Sequence, residues 1–295
     1  MCFAHFFVPL SCRSKVLTFG NAQINLAFRS LIRTFALNMK EKVTIVKVGG
    51  AVVEDDQQLE QLLCDFSAIE GRKVLVHGGG RKATKTAERL GLETQMVNGR
   101  RITDTAMLEV VTMVYGGLVN KTLVARLQAQ GVNALGLTGA DANVVKSHKR
   151  PLKDGIDYGW VGDVDHADGQ MLSNLIEAGI MPVMAPLTHD GEGHILNTNA
   201  DTIASETAKA LAPYYDVTLI FTFEKKGVLR NADDDDSVIP TITHADFERY
   251  KADGTISGGM LPKIENALSA VDAGVSRVII THATAIGKTG TVIMR

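Results

Sequence analysis

Twice in the first half of the sequence, a short apolar run ends in consecutive glycines and is followed by a segment of helical periodicity. Residues 43–48 lead into Gly49-Gly50, and residues 74–76 lead through His77 into the three glycines 78–80. Such runs are typical of buried strands. A repeated unit of strand, glycine turn and helix predicts a parallel sheet with helices on both faces. The sequence therefore predicts an α/β fold with a mainly parallel central sheet.

The chain of 295 residues is long for one compact domain and short for two large ones. At roughly 150 residues per domain, the length predicts two lobes. The best candidate for the boundary is residues 186–193, which read as a polar loop. We therefore predict an N-terminal lobe of residues 39–186 and a C-terminal lobe of residues 187–295.

Residues 1–38 differ from the rest, with four basic residues and no acidic one. Such leaders occur in organelle transit peptides. The alternative is a start placed too far upstream, with the true start at Met39, and the absence of a clear amphipathic helix favours this reading. We expect a cytoplasmic protein, or an organellar one if the leader is a transit peptide.

The composition excludes several classes of partner. The formal net charge of -2 argues against nucleic acid. No apolar run approaches the roughly 20 residues of a membrane-spanning helix, so we expect no membrane span. Cys2, Cys12 and Cys64 have no metal-type spacing, which indicates a reducing compartment without a disulfide framework.

Lysines stand beside the glycine turns. Lys47 ends the first predicted strand, at the carboxyl edge where open α/β folds bind ligands. Lys263 follows Gly258-Gly259 and Pro262, in what should be the first turn of a helix. A cation there opposes the helix dipole unless an anion is bound. The two lysines therefore suggest a clamp on a transferring phosphoryl group, although each alone is also compatible with a surface lysine.

Two polar segments complete the candidate site. Residues 197–201 place Asn197 and Asp201 before and within the start of a helix, where one capping residue would suffice. Arg100 and Arg101 lie in a loop and suit recognition of a carboxylate, or are surface charges. We interpret His77 as structural rather than as a base. The acidic run 233–236 is interpreted as a solvated loop without metal.

Three common signatures of nucleotide-binding proteins are absent from the sequence. It has no Gly-x-x-x-x-Gly-Lys-Ser/Thr motif and no protein-kinase catalytic loop. No dinucleotide fingerprint follows the first strand, which weakens a dehydrogenase reading.

Taken together, the segments resemble the N-acetylglutamate kinases of the amino-acid kinase superfamily. The matching segments run in family order over residues 43–295: Val-Lys-Val-Gly-Gly at 46–50, His-Gly-Gly-Gly at 77–80, Asn-Gly-Arg-Arg at 98–101, Gly-Trp-Val-Gly-Asp-Val at 159–164, Asn-Thr-Asn-Ala-Asp at 197–201, Gly-Gly-Met-Leu-Pro-Lys at 258–263 and Gly-Thr-Val-Ile at 290–293. The Asn-Gly-x-Arg loop together with Asn-x-Asn-Ala-Asp points to the acylglutamate branch.

The resemblance implies an open αβα sandwich that transfers the γ-phosphoryl group of ATP to the side-chain carboxylate of an N-acylglutamate, a step of arginine biosynthesis. It implies a homodimer, since a chain that starts at Met39 is similar to the shorter dimeric form. Mg²⁺ would arrive with ATP, with no direct side-chain ligand. By motif match, the catalytic residues are Lys47, Lys263 and Asp201. The implied substrate-binding residues are Gly79, Gly80, Arg101 and Asn197. The implied phosphate- and nucleotide-binding residues are Gly49, Gly50, Glu224, Gly227, Gly258 and Gly259.

The sequence departs from the family pattern at two places and adds a cation at a third. Residues 223–227 read Phe-Glu-Lys-Lys-Gly where the family often has Thr/Ser-Asp-Val-x-Gly, and Ala142 and Asn143 follow Asp141 where the family usually has a glycine. Arg100 adds a second cation, which makes a succinyl substrate conceivable. The alternatives are a carbamate or aspartate kinase-like enzyme of the superfamily, or a non-catalytic nucleotide or arginine sensor on the same scaffold.

Overall fold

The computed structural model describes residues 40–97, 99–152, 154–231 and 233–295. The predictions for residues 1–38 lie outside the described residues. The strands are β1 (Lys42–Val48), β2 (Arg72–His77), β3 (Met96–Val97), β4 (Arg100–Arg101), β5 (Ala134–Leu137), β6 (Val145–Lys149), β7 (Gly162–Ala167), β8 (Met181–Met184), β9 (Leu187–His189), β10 (Ile195–Asn197), β11 (Asp216–Phe223), β12 (Thr241–Ile242), β13 (Arg277–His282) and β14 (Thr291–Ile293). The helices are α1 (Gly50–Glu54), α2 (Asp56–Ser67), α3 (Gly80–Arg89), α4 (Thr105–Ala129), α5 (Gly169–Glu177), α6 (Ala200–Leu211), α7 (His244–Ala252) and α8 (Met260–Asp272).

The central sheet has eight strands in the order β12-β14-β13-β11-β1-β2-β8-β5. Its paired strands run parallel, except that β14 is antiparallel to β13. Strand β1 lies in the middle, with Lys47 opposite Phe221 of β11 and Val76 of β2. Because parallel strands end at the same edge, the segments that follow β1, β2, β11 and β13 converge there. The predicted mainly parallel sheet is confirmed.

Helices cover both faces of this sheet. Alternate side chains of β1 point to opposite faces, so Val43 and Ile45 join one hydrophobic cluster while Val46 and Val48 join the other. The first cluster includes side chains of α5, α6 and α8, and the second includes those of α2, α3 and α4. Both faces are therefore dry, as continuous apolar strands require, and the predicted αβα sandwich is confirmed.

Helix α4 is 25 residues long and is not α-helical throughout. Its middle, Thr112–Val119, forms a π-helix, a geometry that is often found at functional sites. By length and composition alone, α4 is the one helix of the described residues that matches a membrane span, although Glu109 and Lys121 interrupt its apolar run. In this fold α4 contributes buried residues to a core cluster, and core helices of globular proteins pass the same test.

A second sheet carries the strands β10-β9-β6-β7. The prediction of a loop over residues 186–193 is wrong at Leu187–His189, because these residues form β9 and pair with β10 and with Lys146 of β6. Pairing with a distant strand leaves no local signal in the sequence. The described residues from Lys42 onward form one compact unit, and the division into lobes at residues 186/187 stays a prediction.

Candidate active site

The carboxyl ends of β1, β11 and β13 open into a cavity of about 1160 Å³, here called the large cavity. Six residues predicted as catalytic or nucleotide-binding line it: Lys47, Gly49, Gly50, Glu224, Gly227 and Lys263. Asp201 and Gly259 line a neighbouring cavity of about 510 Å³, which also reaches Lys263. Gly258 precedes Gly259 in the turn before α8, with a φ of +55° that favours glycine.

A smaller cavity of about 190 Å³ adjoins the first. All four residues predicted to bind the acylated amino acid line it: Gly79, Gly80, Arg101 and Asn197. Gly80 lines both cavities. A carboxylate bound in the small cavity would therefore lie beside a phosphate bound in the large one.

Lys47 and Asp201 form an ion pair across the sheet edge. The Nζ of Lys47 lies 2.6 Å from an Oδ of Asp201, with the lysine side chain only 12% exposed and the aspartate 38%. Asn199 is the N-cap of α6 and accepts hydrogen bonds from the N–H groups of Asp201 and Thr202. Asp201 itself stands in the first helical turn, where the dipole favours a carboxylate. The cap and the central strand β1 together fix both partners.

Lys263 occupies a different environment from Lys47. Helix α8 begins at Met260, two residues earlier than the proline pattern suggests, so Pro262 is the third helical residue rather than the first. It still loses no hydrogen bond, since the first four N–H groups have no partner within the helix. The Nζ of Lys263 lies 4.0 Å from the ring centroid of Phe223, a cation–π contact. Among the described residues no ion pair joins Lys263 to Asp201, so the predicted grouping is seen for Lys47 alone.

The two glycine turns lie against each other, and the second turn has little room for side chains at Gly78 and Gly79. The N–H of Gly78 donates to the Val48 carbonyl at 2.9 Å. A Cβ on Gly50 would lie 3.6 Å from the nitrogen of Gly79, which is an ordinary contact. A Cβ on Gly78 would lie 3.1 Å from the nitrogen of Gly50, and a Cβ on Gly79 would lie only 2.8 Å from the ring of Tyr115. Helices α3 and α8 both lack a side-chain N-cap. The first N–H groups of α3 are therefore available to an anion, whereas in α8 the N–H groups of Met260 and Leu261 already donate to the carbonyls of Ser257 and Gly258.

The family follows from comparison with known proteins. Residues 42–282 match the model of the amino acid kinase family. The chain belongs to the amino acid kinase family. It is 66% identical to the acetylglutamate kinase of Bacteroides fragilis over 252 residues, and this alignment covers 85% of this chain and 96% of that protein. The acetylglutamate kinase of Phocaeicola vulgatus is also 66% identical, over 87% of this chain and 100% of its own length.

Solved structures share the fold of this chain. The protein smu.665 from Streptococcus mutans UA159 has a TM-score of 0.68 at 32% identity, over 85% of this chain and 98% of that chain. Giardia carbamate kinase has a TM-score of 0.63 at 16% identity, over 88% of this chain and 99% of that chain, and supports the fold alone. The two acetylglutamate kinases that are 66% identical to this chain confirm its resemblance to the acetylglutamate kinase branch of the family.

In this amino acid kinase, Arg101 is a buried cation. Its guanidinium donates to the Gly80 carbonyl at 2.9 Å and to the hydroxyl oxygens of Thr84 and Thr94 at 2.8 and 3.1 Å. The side chain is 7% exposed, and no carboxylate pairs with it in the part of the chain that the structure describes. Buried charges are usually paired. An anionic ligand in the small cavity would supply the missing charge.

The departure from the family pattern after β11 has a local explanation. Lys225 lies 2.8 Å from Asp235, and Lys226 lies 2.7 Å from Asp236. Each aspartate raises the pKa of its lysine through a hydrogen bond. The acidic run is exposed, as predicted, but it also neutralises these two lysines beside the large cavity. This pairing was not predicted, because the partners are ten residues apart in an irregular loop.

The second departure keeps the backbone shape that glycine would give. Ala142 has φ +50° and Asn143 has φ +55°, both in the left-handed region. Asn143 accepts a hydrogen bond from His189 at 2.7 Å, and asparagine tolerates this region well. Ala142 has no such compensation, so the strain lies there.

Tyr115 was not identified from the sequence as a site residue. It lies in the π-helical part of α4, lines the small cavity and contacts Gly79. Burial raises the pKa of its phenol, although Arg101 nearby opposes this effect. The only local signal was the pair Gly116-Gly117 inside a helical pattern, which marks irregular helix without indicating what it contacts.

Proposed function

We propose that this chain transfers the γ-phosphoryl group of ATP to the side-chain carboxylate of N-acetyl-L-glutamate, a step of arginine biosynthesis in the cytoplasm. A carboxylate oxygen attacks the γ-phosphorus, the bond to the β-phosphate oxygen breaks, and ADP leaves with that electron pair. The product is an acyl phosphate. The names of the relatives support this substrate, and so does the pair of adjoining cavities.

The observation that carries the proposal is the cationic character of the shared edge. A carboxylate is ionised at pH 7 and needs no general base. The enzyme must instead offset repulsion between two anions and hold them in line. Lys47, Lys263 and the N–H groups of Gly50 and Gly79 are suited to that task. Asp201 would hold Lys47 in place.

The nucleotide would occupy the large cavity, and Mg²⁺ would arrive on its phosphate oxygens. Glu224 and Gly227 line this space and would contact the nucleotide, and the turn at Gly258-Gly259, of which Gly259 lines the neighbouring cavity, would contact it from the start of α8. The acylated amino acid would occupy the small cavity, with its α-carboxylate on Arg101 and Asn197 beside it. Magnesium supplies charge neutralisation on the phosphates, and the protein supplies orientation.

The reaction is tested by trapping the acyl phosphate as a hydroxamate. The full chain is incubated with ATP, Mg²⁺ and either glutamate, N-acetylglutamate, carbamate or aspartate. Product from N-acetylglutamate but not from free glutamate is expected. Product only from carbamate or aspartate would assign the chain to another reaction of the superfamily. Tight nucleotide binding without product from any acceptor would favour a sensor.

One observation favours testing a second acyl group. Arg100 lines the small cavity, and burial together with the nearby cation of Arg150 lowers the pKa of its guanidinium. No ion pair of Arg100 occurs among the described residues, so its guanidinium could pair with the third carboxylate that a succinyl substrate carries. For N-succinylglutamate we expect Arg100→Leu to lower kcat/KM at least tenfold more than for N-acetylglutamate. Equal effects on both would remove the succinyl hypothesis.

We also propose that the protein is a homodimer through the edge of the sheet at β5. Leu135 of β5 is 39% exposed, and Leu118 of α4 is 51% exposed. Helix α4 packs on β5, where Lys121 donates to the Gly136 carbonyl. An open strand edge flanked by apolar side chains favours pairing with another chain. Sedimentation should give a dimer for the wild type and a monomer for Leu118→Glu, and a wild-type monomer would refute this.

A further inference from the structure

His77 is the last residue of β2 and directly precedes the three glycines of the second turn. Its side chain is completely buried and both ring nitrogens have partners. Nδ1 lies 2.8 Å from the Gly78 carbonyl oxygen, and Nε2 lies 3.1 Å from the amide nitrogen of Asn120. The same Asn120 nitrogen lies 2.9 Å from the carbonyl of Val183. The ring is thus held between a helix and the glycine turn.

These contacts fix the tautomer of the ring. The Val183 carbonyl can only accept, so the Asn120 side chain presents its NH₂ group there and donates its other hydrogen to Nε2 of His77. Nε2 is therefore the acceptor and Nδ1 carries the hydrogen, which it donates to the Gly78 carbonyl. Burial, followed by the nearby charge of Lys121, lowers the pKa of His77 to about 4, so the ring is neutral near pH 7.

The hydrogen bond to Gly78 constrains the next N–H group. A trans peptide is planar, and its C=O and N–H point in opposite directions. Tying down the carbonyl of Gly78 therefore aims the N–H of Gly79 away from His77. A peptide between two glycines has few intrinsic restraints and would otherwise rotate readily. The Gly79 nitrogen faces Gly50, where the two glycine turns meet.

We propose that His77 is a positioning residue, whose Nδ1–H orients the Gly78–Gly79 peptide so that the Gly79 N–H points at the transferring phosphoryl group. Asn120 holds the ring in the tautomer that makes this possible. The inference rests on the proposed function, since it needs a phosphoryl group at the glycine turns. His77 touches no reactant in this account and acts through the backbone.

Two substitutions separate positioning from packing. His77→Leu keeps bulk and removes the donor, whereas His77→Asn loses bulk but keeps an N–H near the position of Nδ1. We expect His77→Leu to lower kcat 10- to 100-fold while the KM for both substrates changes less than threefold, because one misaimed donor weakens the transition state most. On a logarithmic scale, the loss of kcat in His77→Asn should be at most half of the loss in His77→Leu. Rates are normalised to folded protein by circular dichroism.

Val74→Ala on the same strand is the matched control. Val74 is completely buried and lies away from both cavities, so its kcat per folded molecule should stay within twofold of the wild type. A purely structural His77 predicts the reverse ranking, with His77→Asn the worse variant, and that ranking would overturn the proposal.

A measurement on the unmodified protein keeps the proposal open to refutation if the variants fail to fold. Nitrogen-15 spectra of histidine-labelled protein should show one imidazole protonated at Nδ1 that does not titrate between pH 6 and 8. A ring protonated at Nε2 would overturn the assignment. A wild type that gives this spectrum but no hydroxamate would refute the proposed function and leave the geometry of His77 intact.

Discussion

Neutralising Asp201 tests whether the Lys47–Asp201 pair organises the site. Asp201→Asn keeps the size of the side chain and removes the charge that lies 2.6 Å from Nζ of Lys47. Because Lys47 is only 12% exposed, the cation left behind is poorly solvated. Hydrogen bonds to charged groups contribute about 1.5–3 kcal/mol, and this mostly buried pair should lie near 2 kcal/mol. For a chain of this size, that lowers Tm by about 4–8 °C.

Asp56→Asn is the matched control for stability. Asp56 also stands in the first turn of a helix and lies 2.6 Å from a cation, Arg126, but its side chain is 86% exposed. Pairs of this kind contribute about 0–1 kcal/mol. The two variants therefore differ mainly in burial. Equal changes in Tm for both would refute the argument from burial.

The activity of Asp201→Asn is measured with the hydroxamate assay at saturating ATP and N-acetylglutamate. A displaced Lys47 should lower kcat about 100-fold, which is the effect of misplacing a reacting or stabilising group by about 1 Å. Asp56→Asn should keep the wild-type kcat. A kcat for Asp201→Asn within threefold of the wild type, with folded protein, would show that Asp201 does not organise the reaction.

Three further outcomes are expected. Lys263→Met should lower kcat about 10²–10³-fold in the same assay, since it removes one preorganised charge; unchanged turnover would contradict its catalytic assignment. Ala142→Gly should stabilise the fold by about 1 kcal/mol in urea unfolding, because alanine at φ +50° is strained, and a loss of stability would refute this. The pKa of His77 is lowered to about 4 in the folded chain, whereas in the unfolded chain it is about 6.5, so below pH 6.5 the unfolded chain binds a proton that the folded chain does not bind. The contribution of neutral His77 to the free energy of unfolding is therefore fully present above pH 6.5 and falls by about 2 kcal/mol between pH 7.5 and 5. In urea unfolding, His77→Leu should lose about 2 kcal/mol less stability than the wild type over this pH range.

The sequence predicted the sheet well because its main strands are continuous apolar runs that end in glycine. Strands buried on both faces leave such runs, and β1 and β2 follow the rule closely. The same local reasoning failed for β9, whose three residues become a strand only through pairing with β10 and β6. Non-local pairing of short segments was the limit of the prediction.

At the site, the sequence identified the charged residues but not the groups that orient them. Lys47 and Asp201 were predicted to meet, and they form an ion pair. The contact of Lys263 with Phe223 was not predicted, because the site was interpreted through its charges and an aromatic ring carries none. Tyr115 was not predicted either, because it contacts Gly79 only through the π-helical geometry of α4, which the sequence pattern does not indicate. Motifs therefore name reactive groups, whereas the supporting contacts come from packing.

The two lysines are held with unequal strength, and this follows from where they stand. Lys47 lies on a central strand paired on both sides and faces a carboxylate that its helix cap fixes. Lys263 contacts the ring of Phe223 and stands in the first turn of a helix that follows two glycines. A cation–π contact contributes about 0.5–2 kcal/mol, comparable to or less than a charge-assisted hydrogen bond. Lys263 can therefore exchange the ring of Phe223 for a phosphate oxygen at little net cost, whereas Lys47 is already in place before the nucleotide binds.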